Sequence, residues 1–285
     1  MCQLIAESGS SKTNWVLLSP EGQEKAHYSS EGINPYYQSS QQIEQVISEA
    51  FAQRPEGLRH IWFYGAGCAN EERNAVVKEA LLSFFGPCDV NIASDLLAAA
   101  RSLCQRESGM VGILGTGSNS CLYDGNHISH HVSPLGFILG DEGSGAVLGR
   151  MLVADVLKNQ LPESISRAFF EQYQLDASAI IDRVYRQSLP NRFLAGFTPF
   201  LAERRKEPAL AELLGKAFDA FFRRNIHQYT DYHKLPLHLT GSIAWHFRHD
   251  LMESAGRNGV KLGRILADPL PGLIEYHRKL PCSHG

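Results

Sequence analysis

The residues best suited to chemistry lie in two glycine-rich turns, Gly115-Thr116-Gly117-Ser118-Asn119 and Gly140-Asp141-Glu142-Gly143-Ser144-Gly145. Glycine lets backbone N–H groups approach an anion closely, and a helix start adds its positive dipole end. The first turn joins apolar strand patterns at 110–114 and 121–123, and the second opens a long helical pattern. Such a pair fits a cleft that holds phosphate together with something small and polar. Asp141 and Glu142 would also serve as a helix cap with favourable dipole placement. The glycines around them exceed what a helix start asks for, since each costs about 0.5–1 kcal/mol inside a regular element. Close approach to a ligand or to another stretch of backbone accounts for them better.

A third turn, Glu7-Ser8-Gly9-Ser10-Ser11-Lys12-Thr13, follows the strand pattern CQLIA. Its amides and hydroxyls could wrap a phosphate, with Lys12 approaching it and Glu7 holding Mg²⁺ through water. The same composition also suits an ordinary hairpin. The spacing is not G-x-x-x-x-G-K-S/T, which argues against a P-loop fold. Asp95 sits between a strand pattern and a helix pattern, where it is either a cap or a general base for an alcohol. His246 and His249 share a helix face and His130-His131 are adjacent in a strand, but no third ligand stands in motif spacing, so no metal site is expected there. Trp15, Trp62 and Trp245 lie in apolar stretches and are expected in the core.

These groups need elements to hold them. Strands are predicted at 2–6, 15–18 and 25–29, then at 110–114, 120–123 and 127–132. The same order of strand, hydroxyl-rich turn, strand, hairpin and strand thus occurs twice, a little over one hundred residues apart. Between the copies, helices at 41–52, 71–85 and 96–104 alternate with strands at 60–64 and 89–93, a mixed α/β sheet covered by helices. Ligands collect beyond the carboxyl ends of strands in such sheets, where Glu7, Gly65–Gly67 and Asp95 fall. The second half is more helical, with helices predicted at 146–161, 163–174, 177–187, 208–229, 244–255 and 272–279 and strands at 235–240 and 260–266.

The 285 residues are 44% hydrophobic and 20% charged, a composition of globular protein with room for one large or two ordinary domains. A formal net charge of -3 offers no electrostatic case for nucleic acid or an anionic membrane. Arg204-Arg205-Lys206 and Arg223-Arg224 have acids nearby and read as solvated helix faces. No apolar run has the length of a membrane span and no basic-then-apolar leader opens the chain, so a cytoplasmic location is expected. The six cysteines include no C-x-x-C pair and read as reduced core residues.

With ESGSSKTNW at 7–15, GTGSNS at 115–120 and LGFILGDEGSG at 135–145, the chain resembles the N-acetylglucosamine kinase branch of the sugar kinase/actin-like ATPase superfamily. That branch is grouped with the ATPases that activate benzoyl-CoA reductase and 2-hydroxyacyl-CoA dehydratases. GIN at Gly32, GAG at Gly65, SDLLAAA at Ser94 and TGSIA at Thr240 follow in the family's order. The resemblance implies an α/β fold of two ribonuclease-H-like domains facing each other across a nucleotide cleft, with ATP and Mg²⁺ between them. They would be an N-terminal domain over 1–107 and a C-terminal domain over 108–285 with helical additions, the last helix packing back on the first domain.

It further implies a first phosphate loop of Ser8, Gly9, Ser10, Ser11, Lys12 and Thr13, and a second of Gly115, Thr116, Gly117 and Ser118. Gly241 and Ser242 would flank the adenosine. Asn34, Gly67, Asp95, Thr116, Gly117, Asn119 and Asp141 would contact the sugar. Asp95 would take the proton of the sugar 6-hydroxyl. The implied activity is phosphorylation of an amino sugar, N-acetylglucosamine first. N-acetylmuramic acid (a cell-wall recycling substrate), glucosamine, an activator ATPase and a sugar-binding regulator are the alternatives, and a homodimer is compatible with such folds. The family's metal-side Asp is here Glu7, and its loop Trp is read as Phe137, an apolar wall without an indole N–H.

Overall fold

Strict alternation of side chains across the strands builds the first unit on two faces. In the computed structural model, which describes residues 2–9 and 11–279, its strands are β1 (Cys2–Ser8), β2 (Lys12–Leu18), β3 (Glu24–Glu31), β4 (Leu58–Gly65) and β5 (Asp89–Ser94). The sheet order is β3-β2-β1-β4-β5, with β1 antiparallel to β2 and parallel to β4, and β4 parallel to β5. Leu4, Ala6, Trp15, Leu17, Ile61 and Phe63 pack with Ile43 and Ile47 of helix α1 (Ser40–Ala50) and Val77, Leu81 and Phe85 of α2 (Glu71–Phe85). Their neighbours Ile5, Val16, Leu18 and Tyr64 point to the opposite face, against Ala98 of α3 (Asp95–Cys104) and Leu273 and Ile274 of the helix Leu270–Arg278. One residue of slip in any strand would exchange these two cores. The unit therefore takes the chain up to Gln105 and the stretch from Pro269 onward, and the second unit is Arg106–Asp268.

The second unit repeats the plan. Strands β6 (Gly109–Leu114), β7 (Ser118–Tyr123), β8 (Ile128–Val132), β9 (Leu237–Thr240) and β10 (Leu262–Leu266) form a sheet of order β10-β9-β6-β7-β8. Two antiparallel pairings on one side of β6 and two parallel ones on the other match the first sheet. Helices follow as α4 (Gly136–Leu139), α5 (Gly145–Leu157), α6 (Glu163–Tyr173), α7 (Ala177–Tyr185), α8 (Pro190–Ala195), α9 (Thr198–Arg204), α10 (Pro208–Arg224), α11 (Ser242–His246) and α12 (Arg248–Arg257). The long α10 buries Leu210, Leu213, Leu214, Ala217, Phe218, Phe221 and Phe222, a stripe at helical spacing.

Several boundaries differ from those predicted. Helices α8 and α9 occupy a stretch that periodicity leaves unassigned, although each carries a proline in its first turn. The helix expected over 244–255 breaks at Phe247, whose buried ring packs against Phe218 at 6.0 Å, so packing overrides local propensity there. Trp245 is not core: it is 40% exposed, with the Arg248 guanidinium 4.9 Å from its ring centre. Among the described residues no helix is long and apolar enough to cross a membrane.

Gly149 lets α5 approach α8, since a Cβ there would stand 1.9 Å from the Leu194 carbonyl oxygen. Gly149→Ala is expected to lower stability by about 1–3 kcal/mol, as overpacking does. Gly256→Ala in α12, where a Cβ would meet nothing within 4 Å, should be neutral or stabilising. Denaturant titration of both variants checks this, and equal midpoints would refute the close contact.

Candidate functional site

In the second unit the two glycine turns form one assembly. The amides that open α5 donate to the first turn: Gly145 N–H to the Gly115 carbonyl at 2.8 Å, and Ala146 N–H to that of Thr116 at 3.0 Å. Ser144 caps the next free amide, that of Val147, at 3.2 Å. The helix start is thus satisfied from within, and the turn's carbonyls are held back. The Thr116 and Gly117 amides and the Thr116 hydroxyl have no hydrogen-bond partner among the described residues. A Cβ on Gly115 would meet nothing within 4 Å. Exposed donors beside open space are what an anion needs.

Asp141 stands over this turn. Its Oδ2 lies 3.2 Å from where a Cβ on Gly117 would be, and the Ser118 amide donates to its carboxylate. Its backbone is left-handed, with φ 51°, and its N–H donates to the Pro134 carbonyl at 2.8 Å. Burial first, and the neighbouring Glu142 charge after it, push its pKa up to about 6 against the pull of the Ser118 bond. Glu142 turns away to Arg224 Nε and to Asn225 Nδ2, the latter at 3.2 Å. Gly140 is forced by close approach, because a Cβ there would sit 2.0 Å from the Pro134 oxygen. Gly241, at the end of β9, has φ 108° and would carry its Cβ 2.4 Å from the Leu114 oxygen. Its turn therefore lies against the entry to the Gly115 turn, and Ser242 is exposed beyond it. Ser118 is buried.

On the side to which Glu142 turns, a cavity of about 270 Å³ is lined among others by Pro134, Leu135, Gly140, Glu142, Arg224 and Gln228. Phe137, expected as an apolar wall, is half-buried. Phe137 packs onto the core, whereas Leu135 is 59% exposed at the lip.

In the first unit, the candidate residues meet at the carboxyl ends of β1, β4 and β5. The Ser8 and Thr13 hydroxyls, expected on a phosphate, are fully buried and engaged elsewhere. They bond each other at 2.8 Å, Ser8 also exchanges bonds with Ile33, and Thr13 donates to the Glu31 carbonyl. Gly9 is half-buried and Ser11 and Lys12 exposed, while Ser10 lies outside the described residues. Glu7 is half-buried in β1, opposite Asn14. The Ala66 amide ties the β4 loop to Ser8 at 3.0 Å. Gly67, at φ 83°, leaves room for Asn34, whose Oδ1 would lie 2.4 Å from a Cβ there.

Asp95 is not the cap of α3. Ser94 caps the helix through Leu97, and Asp95 takes the first helical position with Oδ1 bonded to the Leu96 amide at 2.8 Å. Protein surrounds its carboxylate, and burial raises its pKa against the pull of that bond. Burial, together with the Asp95 charge, pushes the nearby Cys68 thiol up to about 12. No group of three or more His, Cys, Asp or Glu that could hold a metal occurs among the described residues. A nucleotide-bound Mg²⁺ needs only one or two carboxylates beside phosphate and water, which Glu7 fits.

No protein-family model and no curated protein matches the chain. A solved structure from Porphyromonas gingivalis, provisionally named an N-acetylglucosamine kinase, is 45% identical, covers 96% of this chain and 98% of its own, and superposes with a TM-score of 0.92. The chain belongs to the N-acetylglucosamine kinase family. A second protein provisionally named so, from Chromobacterium violaceum, shares the fold at 20% identity over 96% of this chain and 98% of its own (TM-score 0.77). A ROK family glucokinase from Streptomyces griseus, solved with glucose and AMPPNP, shares it at 16% identity over 97% and 98% (TM-score 0.58). The chain is thus a sugar kinase of the actin-like ATPase fold, with two α/β units.

In this N-acetylglucosamine kinase family member, Cys68 lies near Asp95, His131 bonds Asn119, and Arg224 lines the cavity, three neighbours of candidate residues that the motifs do not include. Cys68 reads from sequence as core, and Arg224 as a solvated face. Asp141 yields a test of the geometry. An Asp whose folded pKa is raised weakens the fold progressively as pH climbs from its ordinary value of 3.8 through about 6. Asp141→Asn keeps an acceptor for Ser118 and tolerates the left-handed backbone. Its Tm should exceed that of the parent at about pH 8, with the gap closing by about pH 4. Thermal melts across pH check this, and a gap independent of pH would contradict the burial of the carboxylate.

Proposed function

We propose that the chain transfers the γ-phosphoryl group of ATP to the 6-hydroxyl of N-acetylglucosamine. The observation that carries this reading is the pairing, in the second unit, of unbonded Thr116 and Gly117 amides with the Asp141 carboxylate beside them. The amides supply donors for phosphate or sugar oxygens, and the carboxylate supplies an acceptor for a sugar hydroxyl. Family membership supports the reaction class, and the glucokinase neighbour's AMPPNP supports ATP as donor.

In this reading Asp95 accepts the proton of the attacking hydroxyl as its oxygen bonds the γ-phosphorus and the bond to the β-phosphate oxygen breaks, releasing ADP. A carboxylate with a raised pKa is a stronger base once ionised. Asn34, held against Gly67, and Asn119 and Asp141 orient the sugar, so positioning lowers the barrier. The amides of Gly115, Thr116 and Gly117, the Gly9–Lys12 turn and the Gly241-Ser242 turn hold the nucleotide. Bound Mg²⁺ would neutralise charge on the phosphates, with Glu7 orienting its waters. Ser8 and Thr13 stay with the fold and shape the turn.

The cavity on the Glu142 side is compatible with an acyl group, because its Leu135 and Pro134 lip suits a methyl and Gln228 a carbonyl. Arg224 on the same rim is already paired with Glu142, so a lactyl carboxylate would meet both charges, and N-acetylmuramic acid stands second to N-acetylglucosamine.

A panel of amino sugars and hexoses with ATP and Mg²⁺ tests the proposal, and absence of sugar-dependent ADP release would end it. Asp95→Asn is expected to cut kcat by about 10²–10⁴-fold, the worth of general base catalysis, and to leave nucleotide binding intact. The acid limb of kcat/KM should lie above the ordinary carboxylate range, because burial raises the Asp95 pKa. A fully active variant would place the base elsewhere.

A further inference from the structure

His131 and Asn119 lie on adjacent strands, and the hydrogen bonds between them determine what Asn119 can offer a ligand. Asn119 Oδ1 accepts the Ser120 backbone N–H at 2.9 Å. A backbone amide is only a donor, so the side-chain atom facing it must be the oxygen, which removes the usual ambiguity of an Asn flip. The same oxygen lies 2.8 Å from His131 Nε2. An amide oxygen cannot donate, so that nitrogen must carry the hydrogen. Both lone pairs of Oδ1 are then occupied. The Asn119 Nδ2 group has no partner among the described residues.

We infer that His131 is a positioning residue that locks the Asn119 amide with its two N–H donors free, so that this position recognises only an acceptor, a sugar hydroxyl or acyl oxygen. The inference rests on the proposed role of Asn119 at the sugar. Without His131 only the Ser120 N–H would hold the oxygen inward, and one bond resists turning of the amide less than two. The ring pairs with Asn119 from β8, where His131 stands opposite Cys121. Burial, and His130 after it, lower the pKa of His131, which keeps the ring neutral with one hydrogen to place.

Two measurements test this, the first without any activity. Ring-nitrogen NMR of the ligand-free full chain should find His131 neutral as the Nε2–H tautomer near neutral pH; the Nδ1–H tautomer would overturn the inference. In steady-state kinetics, His131→Ala and His131→Phe should raise the sugar KM about tenfold, the worth of one hydrogen bond, with kcat within twofold and the ATP KM unchanged. His131→Gln retains an N–H donor and should restore the sugar KM to within about threefold, by the same bond energy. A sugar KM unmoved by His131→Ala, equal values for the Phe and Gln variants, or a parallel rise in both KM values would each refute it. If the parent chain turns over no sugar, the kinase reading fails by itself, and the tautomer still decides the His131–Asn119 lock.

Discussion

Two hydrogen bonds, from Gly145 and Ala146 to the carbonyls of Gly115 and Thr116, decide what the second unit can bind. A helix start leaves amides that need acceptors, and a tight turn leaves both donors and acceptors. Here the helix amides consume the turn's acceptors. What remains unpartnered in the backbone is donors only, at Thr116 and Gly117, and a turn whose free backbone groups are all donors favours oxygen-rich, electron-rich ligands. The glycines follow from that docking. Gly145 would bring a Cβ to 3.2 Å from the Gly115 oxygen, and Gly241 to 2.4 Å from the Leu114 oxygen. Larger residues would push the strand end, the helix start and the β9 turn apart.

Much of this was legible in the sequence because it is periodic or compositional. The alternation in CQLIA, NWVLL and HIWFY set the two-sided sheet, and its recurrence after Gly109 announced the second unit. The glycine turns were visible through residues that regular elements avoid. What composition could not tell was the partner of each hydroxyl. Ser8 and Thr13 suit a phosphate loop by type, yet they bond each other and the Glu31–Ile33 segment, a tertiary contact with no local signature. Asp95 and Ser94 are both good caps, and only the geometry assigns the cap to Ser94 and leaves Asp95 in the first turn.

Residue type also leaves open which side chain of a loop is buried. Phe137 is the aromatic of its loop and was the natural sugar wall. In a short helical turn, however, two residues of offset exchange an inward for an outward position. The larger ring takes the core and Leu135 takes the lip. Trp245 shows the converse, with its ring outside under Arg248 while Phe247, two residues on, anchors the break between α11 and α12. Hydrophobic size alone does not say which of two near neighbours is buried when both cannot be.

The repeated topology also shows how one fold supports two kinds of chemistry. In each unit the hairpin after the first strand follows the same path, but its hydroxyls and amides are used in opposite ways. In the first unit Ser8 and Thr13 turn inward and fasten the hairpin to the Ile33 segment, which carries Asn34. That fastening places an amide, and the β5 end carries the half-buried Asp95, whose pKa desolvation raises and which is the base in the proposed reaction. In the second unit the hairpin is fastened by its carbonyls, and its amides are left outward for an anion. A base must be desolvated to gain strength, and an anion cradle must keep donors unpaired, so a single turn cannot serve both ends. Duplication lets each copy carry one of the two constraints, which accounts for a chain that repeats its strands so closely and its turn chemistry so little.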